Sequence, residues 1–168
     1  GAAQTLWGIE RVEQKAKQLV IVEGEIDCLA MACASVPNCC SVPNGAPQKV
    51  SNRRVDPSED KKFGYVWEAK KEIEAADRIV LAVDRDEPGE ALAEELARRI
   101  GRAKCYRVQW PDGCKDANDA LIKLGADKLQ ELVDEAEPMP LQGVYSADEY
   151  GDDIADLYQQ GLMGGVST

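Results

Sequence analysis

The stretch VIVEGEID at residues 20–27 joins a short apolar run to a group of acidic residues. Its first three residues are β-branched, which favours a buried β-strand. Three carboxylates follow at once, at Glu23, Glu25 and Asp27. Gly24 lies directly after the first of them and lets backbone or a phosphate come close. The stretch therefore predicts a buried strand whose end presents several carboxylates at one place.

A second stretch, RIVLAVDRDEPG at residues 78–89, repeats this arrangement. Its apolar run also ends in acids, at Asp84, Asp86 and Glu87, and a glycine follows them again. Short apolar runs of this kind predict four strands, at residues 19–23, 39–42, 78–84 and 104–108. Helical patterns lie between them and after them, at residues 26–35, 65–76, 89–100, 118–124 and 126–137.

Strands that alternate with helices predict an α/β domain with a parallel sheet covered on both faces. The carboxyl ends of parallel strands share one edge of the sheet, and ligands bind outside that edge. Glu23 and Asp84 each end an apolar strand, so neighbouring strands would bring the two groups of acids together. This pair of acidic strand ends is the most informative feature of the sequence.

The composition excludes several classes of function. The chain has 168 residues, a net charge of −11 and no histidine, so it has neither an imidazole base nor a histidine-bound zinc. Such an acidic chain is not typical of a free-standing nucleic-acid binder. The six cysteines form no C-x-x-C pair, which favours small buried residues in a reducing cytosol over a zinc site. No apolar run approaches the roughly 18 residues of a membrane span.

Clustered carboxylates need a positive partner, because like charges held together cost free energy. Oxygen-rich sites without histidine or cysteine suit Mg²⁺ or Mn²⁺, and such ions orient and neutralise phosphates in displacement reactions. Several of the acids also have a purely structural explanation as helix caps or first-turn residues, namely Glu25, Asp27, Asp86, Glu87 and Asp116. For any one of these alone the structural explanation is favoured, whereas Glu23 and Asp84 favour a metal site.

Four motifs in order resemble one known family. VEGEID and VDRDEPG resemble the E-G-x-x-D and D-x-D elements of the TOPRIM domain, which occurs in primases, topoisomerases, some nucleases and recombination proteins. SVPNGA after the second strand and KDANDAL after the fourth resemble the phage-type primase-helicases and the related Twinkle helicases. Four such matches in the same order are far more specific than any one of them. The resemblance covers about residues 18–137.

The resemblance implies a Rossmann-like TOPRIM fold, with a roughly four-stranded parallel sheet flanked by helices. It assigns catalytic roles to Glu23, Asp84 and Asp86, and it makes the same three residues ligands of Mg²⁺ or Mn²⁺. Asp116 is implied as a further metal ligand and Asp27 as a supporting acid. Lys115 matches the lysine of the K-D element and is expected to contact phosphate.

The function implied is that of the metal-binding catalytic domain of a DNA primase. Such a nucleotidyltransferase synthesises RNA primers on single-stranded DNA from ribonucleoside triphosphates. The alternatives are a TOPRIM nuclease or topoisomerase fragment, and a non-catalytic TOPRIM module of a replicative helicase. A cytoplasmic protein, bacterial or phage-encoded, with no membrane partner is expected.

The domain organisation expected is a lead-in at residues 1–17, the TOPRIM domain at 18–137, and a linker with an amphipathic helix at 138–168. Primases of this kind have a zinc-binding domain and a basic subdomain upstream, and their helicase domain carries a P-loop that is absent here. The chain is therefore expected to be part of a longer protein, inactive alone and followed by a helicase domain.

The loop at residues 44–62 is polar and aperiodic, and five of its residues are basic. Long loops in compact domains are often functional, so three of these residues are expected to contact nucleotide or DNA phosphates, namely Lys49, Arg53 and Arg54. A solvated mobile loop is an equally good interpretation on loop length alone.

Overall fold

A five-stranded sheet forms the centre of the molecule in the computed structural model, which describes residues 5–52 and 54–140. The strands are β1 (Gln18–Val22), β2 (Cys39–Ser41), β3 (Arg78–Ala82), β4 (Cys105–Arg107) and β5 (Glu137–Pro138). Their order across the sheet is β2-β1-β3-β4-β5, and the first four are parallel. The predicted four-stranded parallel α/β sheet is confirmed, with β5 added antiparallel to β4.

Six α-helices surround the sheet in the described residues, and most lie where the sequence predicts them. They are α1 (Glu25–Cys33), α2 (Gly64–Glu68), α3 (Lys70–Ala75), α4 (Glu87–Ile100), α5 (Ala117–Leu124) and α6 (Ala126–Asp134). The single helix predicted over 65–76 is wrong, because the chain breaks into two helices at Ala69, with φ −87° and ψ 13°. The helix predicted to 137 is too long. Pro138 disfavours a helical conformation at Glu137, and the two residues pair with β4 instead.

The core has two layers, one on each face of the sheet. Alternate residues of β3 point to opposite faces, as a pleated strand requires. Ile79 and Leu81 lie in the layer built with α2, α3 and α4. Val80 and Ala82 lie in the layer built with α1, α5 and α6. Burial on both faces explains why the strands are apolar runs rather than alternating patterns.

The cysteines behave largely as the sequence predicts. All six have free thiols, and four are buried, namely Cys28, Cys40, Cys105 and Cys114. Cys39 is partly exposed and Cys33 is exposed. Burial raises the pKa of the Cys105 thiol to about 12, so this group stays neutral and apolar.

Residues on both sides of 18–137 contact the sheet. Leu6 is buried in the core, and Trp7 pairs antiparallel with Ser41 through backbone hydrogen bonds of 2.9 and 3.0 Å. At the other end the Met139 amide donates to the Cys105 carbonyl at 2.9 Å. The proposed amphipathic tail helix lies outside the described residues. None of the helices in the described part of the chain is long and apolar enough to cross a bilayer.

Candidate metal centre

The two acidic strand ends emerge side by side at the carboxyl edge of the sheet. β1 and β3 are hydrogen-bonded neighbours, and their register pairs Val22 with Ala82. Glu23 follows β1 by one residue and Asp84 follows β3 by two. The chain adds β2 on one side of β1 and β3 on the other, so the order of the strands reverses here. Such a reversal opens a crevice, which is where open α/β sheets bind ligands.

Glu23 has one oxygen held and one unsatisfied. Its Oε1 accepts a hydrogen bond of 3.1 Å from the Ala46 amide, while Oε2 is buried without a hydrogen-bond partner. Burial raises the pKa of Glu23 and the charges of Asp84 and Asp86 raise it further, while the backbone amides of Ala46 and Asp84 act in the opposite direction. Gly45, before Ala46, has a left-handed φ of +61°. The SVPNGA stretch therefore turns sharply at a glycine to hold this carboxylate.

Asp84 is paired with a lysine from the later motif. Its Oδ2 lies 3.1 Å from Lys115 Nζ, and the same ammonium lies 3.2 Å from Asp116 Oδ2. The Arg85 amide also donates to the Lys115 carbonyl at 2.7 Å, so backbone joins the two motifs as well. Burial raises the pKa of Asp84, as do the charges of Asp116 and Asp86, while Lys115 acts in the opposite direction.

Two of the acids serve as helix caps, the structural role that their positions also predict. Asp86 Oδ1 accepts from the Gly89 amide at 2.8 Å and caps α4. Asp116 Oδ1 accepts from the Asp119 amide at 2.7 Å and caps α5. A capping carboxylate uses only one oxygen in this way. The caps fix both side chains in place and leave a second oxygen on each.

Asp27 joins the first motif to the last. It is buried, and its Oδ1 accepts from the Asn118 amide at the start of α5, at 3.1 Å. Burial raises the pKa of Asp27 to about 6, with further contributions from the charges of Asp116 and Asp84, while the Asn118 hydrogen bond lowers it. The charges of neighbouring acids thus contribute to the raised pKa of Glu23, Asp27 and Asp84, because like charges repel one another.

The donor set fits a hard divalent cation in ligand type. The side chains are all carboxylates, and the buried, unpartnered oxygen of Glu23 faces a group of like charges. Within residues 5–52 and 54–140, however, no three acidic or cysteine side chains stand close enough to hold an ion as they are. In this arrangement the Lys115 ammonium supplies the positive charge between Asp84 and Asp116.

Two residues that support this edge carry no clear sequence signal. Arg107, at the end of β4, donates to the carbonyls of Val83 and Asp84 at 2.8 and 2.9 Å. Trp110 Nε1 donates to the Val83 carbonyl at 2.8 Å. The stretch YRVQWP at 106–111 contains both. The sequence feature that points to Arg107 is its position inside a predicted parallel strand, where apolar residues are usual.

The basic loop takes a path along α4. Its Ser51 amide donates to Glu95, and Arg54 lines a cavity of about 360 Å³ together with Lys61, Lys62, Phe63 and Arg99. Arg99 lies twelve residues beyond the start of α4, so this side of the cavity is roughly 18 Å along the helix axis from the end that Asp86 caps. Lys49 is exposed and Arg53 lies outside the described residues. Among Lys49, Arg54 and Lys115, which the structure describes, Lys115 contacts the carboxylates, and binding of phosphate by any of the four expected residues stays a prediction.

Comparison with known sequences identifies related proteins. A family described as Toprim-like matches residues 20–121. The Twinkle homolog protein, chloroplastic/mitochondrial, of Arabidopsis thaliana is 45% identical over 97% of this chain and 24% of its own length. The primase homolog protein of Arabidopsis thaliana is 45% identical over 82% of this chain and 42% of its own. The chain thus spans less than half of either relative.

Solved structures of primases are similar to this chain. The primase fragment of the bacteriophage T7 primase-helicase is 25% identical, with a TM-score of 0.59, over 79% of this chain and 49% of that one. A complex of T7 DNA polymerase with primase domains bound to an RNA/DNA hybrid and dTTP gives 25% identity and a TM-score of 0.58, over 76% and 58% of the two chains. The Mycobacterium tuberculosis primase, at 20% identity, TM-score 0.57 and 82% and 41% coverage, shares the fold.

Proposed function

Because the chain belongs to the Toprim-like family, we propose that it is the metal-binding catalytic domain of a DNA primase. The predicted TOPRIM domain of the primase and Twinkle type is confirmed by the family match, the two 45% identical relatives and the T7 structures. The proposal adds the chemistry: joining ribonucleotides into a primer on single-stranded DNA with Mg²⁺ or Mn²⁺.

One observation supports this proposal above the others. Glu23 Oε2 is buried without a hydrogen-bond partner at the strand-order reversal, where the charges of Asp84 and Asp86 act on the same side chain. An uncompensated buried oxygen costs about 1–3 kcal/mol, and a cation bound beside the carboxylate would offset that cost. Glu23, Asp84, Asp86 and Asp116 would hold the metal, which would neutralise charge on the triphosphate and lower the pKa of the attacking 3′-hydroxyl.

The other residues of the site have supporting tasks in this proposal. Ala46 orients Glu23 through the hydrogen bond to Oε1. Asp27 ties α1 to α5 and so fixes the first motif against the last. The Lys115 side chain is about 63% exposed. Its ammonium would move away from Asp84 and bind a triphosphate oxygen instead. Lys49, Arg53 and Arg54 would contact phosphates further from the metal.

The partners proposed are the template, the nucleotides and a helicase domain. The T7 primase domains are described with an RNA/DNA hybrid and dTTP, and they belong to a primase-helicase. The Twinkle relative is about four times as long as the region matched here. We therefore propose single-stranded DNA, ribonucleoside triphosphates and a helicase domain of the same longer protein as partners. The cytoplasmic location expected from the sequence stays a prediction, and an organelle is the alternative that the name of the 45% identical Arabidopsis thaliana relative supports.

A non-catalytic module of a replicative helicase is the second candidate, and one observation favours it. Lys115 is paired with Asp84 and Asp116, and no three acids in the described part of the chain are placed to hold an ion. A TOPRIM domain with a purely structural role could have its acids paired with a lysine in this way. Both 45% identical relatives carry primase or Twinkle names, which gives no support to a nuclease or topoisomerase.

Labelled ribonucleotide incorporation on single-stranded DNA tests the proposal. The longer protein, with the upstream segments that the resemblance implies, is expected to make template-dependent primers. Glu23→Gln and Asp84→Asn should abolish synthesis, whereas Glu25→Gln, which alters an exposed acid of the same motif, should not. The 168-residue chain alone is expected to be inactive, since an acidic surface does not align a DNA strand. Full activity of the Asp84→Asn protein would exclude the carboxylate site as catalytic.

A further inference from the structure

We infer that Arg107 is a positioning residue, whose guanidinium fixes the backbone at the end of β3 and through it the direction of Asp84. The inference rests on the proposed function, because it concerns the same site. Arg107 is 7% exposed and lies at the last position of β4. Its Nη1 donates to the carbonyls of Leu81 and Val83 at 3.3 and 2.8 Å. Its Nη2 donates to the Asp84 carbonyl at 2.9 Å and to Glu90 Oε1 at 2.8 Å.

The backbone carbonyls just after β3 accept their hydrogen bonds from side chains. β3 ends at Ala82, and the Val108 amide, directly after β4, donates to the Leu81 carbonyl at 3.1 Å. Beyond that point the Val83 carbonyl is bound by Arg107 and Trp110, and the Asp84 carbonyl by Arg107. The peptide that follows Asp84 is therefore held from outside the sheet, at its carbonyl by the Arg107 guanidinium and at the Arg85 amide by the Lys115 carbonyl.

Arg107 also joins this peptide to the helix that follows. Glu90 lies in the first turn of α4, and Asp86 caps the same helix through the Gly89 amide. The guanidinium thus contacts both sides of the turn at 84–90, which carries two of the proposed metal ligands. A planar group with five donors can serve several acceptors at fixed angles, whereas a lysine ammonium cannot reproduce that geometry.

These contacts distinguish Arg107 from a phosphate-binding residue. Both of its terminal nitrogens point at protein acceptors, and its Nε is buried without a partner. A positive charge that neutralised phosphate would have to be accessible to it. Arg107 is instead enclosed by β3, α4 and the Trp110 region, so it acts on the reaction through the placement of Asp84.

Arg78 offers a matched control at the opposite end of β3. It is the first residue of that strand, and its Nη2 donates to the carbonyls of Val133, Asp134 and Ala136 at 3.3, 3.0 and 3.1 Å. Both arginines thus bind clusters of backbone carbonyls beside the same strand. They differ in that Arg107 lies at the edge with the carboxylates and Arg78 at the other edge.

The experiment compares Arg107→Lys and Arg107→Met with Arg78→Lys and Arg78→Met in the 168-residue chain. The first readout is hydrogen exchange without metal at the amides of Arg85, Gly89 and Glu90, each of which is hydrogen-bonded. The second is Mn²⁺ affinity by calorimetry. The Arg107 variants are expected to exchange these amides at least about tenfold faster than the Arg78 variants and to bind Mn²⁺ about tenfold more weakly. Glu90→Gln, which keeps the acceptor and removes its charge, should have a smaller effect in the same direction.

Two outcomes overturn the inference. One is equal exchange at these amides in the Arg107 and Arg78 variants. The other is unchanged Mn²⁺ affinity in an Arg107 variant that is folded. If wild type binds no Mn²⁺ while the Arg107 variants still exchange faster, the proposed function fails and the positioning role of Arg107 stands. If Arg107→Met does not fold, Arg107→Lys and Glu90→Gln decide the question.

Discussion

Replacing Gly89 by alanine should destabilise the protein, although alanine is the better helix former. Gly89 is the third residue of α4. A methyl group at this position would lie 2.1 Å from the Asp84 carbonyl oxygen and 2.8 Å from its carbon, closer than the 3.0 Å that real Cβ atoms respect. The obstructing atoms are backbone and cannot swing away. They are also held, because Arg107 Nη2 donates to the same oxygen at 2.9 Å.

The magnitude follows from three contributions. Glycine to alanine inside a helix is worth a gain of about 0.5–1 kcal/mol. Overpacking in a rigid region costs about 1–3 kcal/mol. Displacing the Asp84 carbonyl weakens its hydrogen bond to a charged group, which costs up to about 1.5–3 kcal/mol. The net loss expected for Gly89→Ala is about 1.5–5.5 kcal/mol, with the sign opposite to that of helix propensity.

Gly64→Ala is the matched control. Gly64 begins α2 with φ −50° and ψ −31°, and no atom lies within 4 Å of its would-be methyl group. This variant should be as stable as wild type or up to about 1 kcal/mol more stable. Urea unfolding followed by circular dichroism measures both. A Gly89→Ala protein within about 0.5 kcal/mol of wild type would show that α4 does not press against Asp84, and the geometry of the proposed metal centre would be wrong.

Two further predictions concern charges. Burial raises the pKa of Asp27 to about 6 from an ordinary value of 3.8, so its contribution to stability is fully present below about pH 4 and is lost as the pH rises through 6. Asp27→Asn should therefore be about 2 kcal/mol more stable than wild type at pH 7.5 and equal to it below pH 4. Chemical denaturation at several pH values measures the free energy of unfolding of both proteins. A difference between them that does not change with pH would contradict this prediction. Arg99→Ala should cost about 2–4 kcal/mol, because it leaves the carboxylates of Glu95 and Asp60 without the guanidinium that pairs with both. Lys70→Ala, which breaks an exposed pair with Glu74, should cost less than about 0.5 kcal/mol in the same urea assay, and equal losses in the two variants would refute the reasoning.

The sequence predicts the parallel strands well because burial on both faces leaves a signature that needs no knowledge of neighbours. β1 and β3 are apolar runs that end in acids, and both appear within one or two residues of their predicted bounds. β5 has two residues, too few for any periodicity, and it forms only because β4 offers an unpaired edge. The break at Ala69 is likewise invisible, since alanine is a good helix former.

The candidate site likewise has features that the sequence predicts and features that depend on the tertiary structure. That Glu23 and Asp84 end strands is a local property, so the sequence contains it. That Lys115 lies between Asp84 and Asp116 depends on how β3 and α5 are placed, and the order of residues cannot give this distance. The path of the basic loop depends on contacts of equally long range, from Asp60 to Arg99 and from Ser51 to Glu95. Arg107 escapes notice because its acceptors are backbone carbonyls, which every residue has.

The arrangement of the acids has an energetic consequence for any ligand of the site. Burial and mutual repulsion raise the pKa of Glu23, Asp27 and Asp84, so the metal-free domain loses stability as they ionise. Lys115 offsets part of this cost at Asp84, and its ammonium contacts Asp84 and Asp116 rather than the unpartnered oxygen of Glu23. A divalent cation would relieve the repulsion at all of these acids together, and it would have to compete with one ammonium for two of them. Metal binding is therefore expected to be of modest affinity and to strengthen as the pH rises through the titration of the acids.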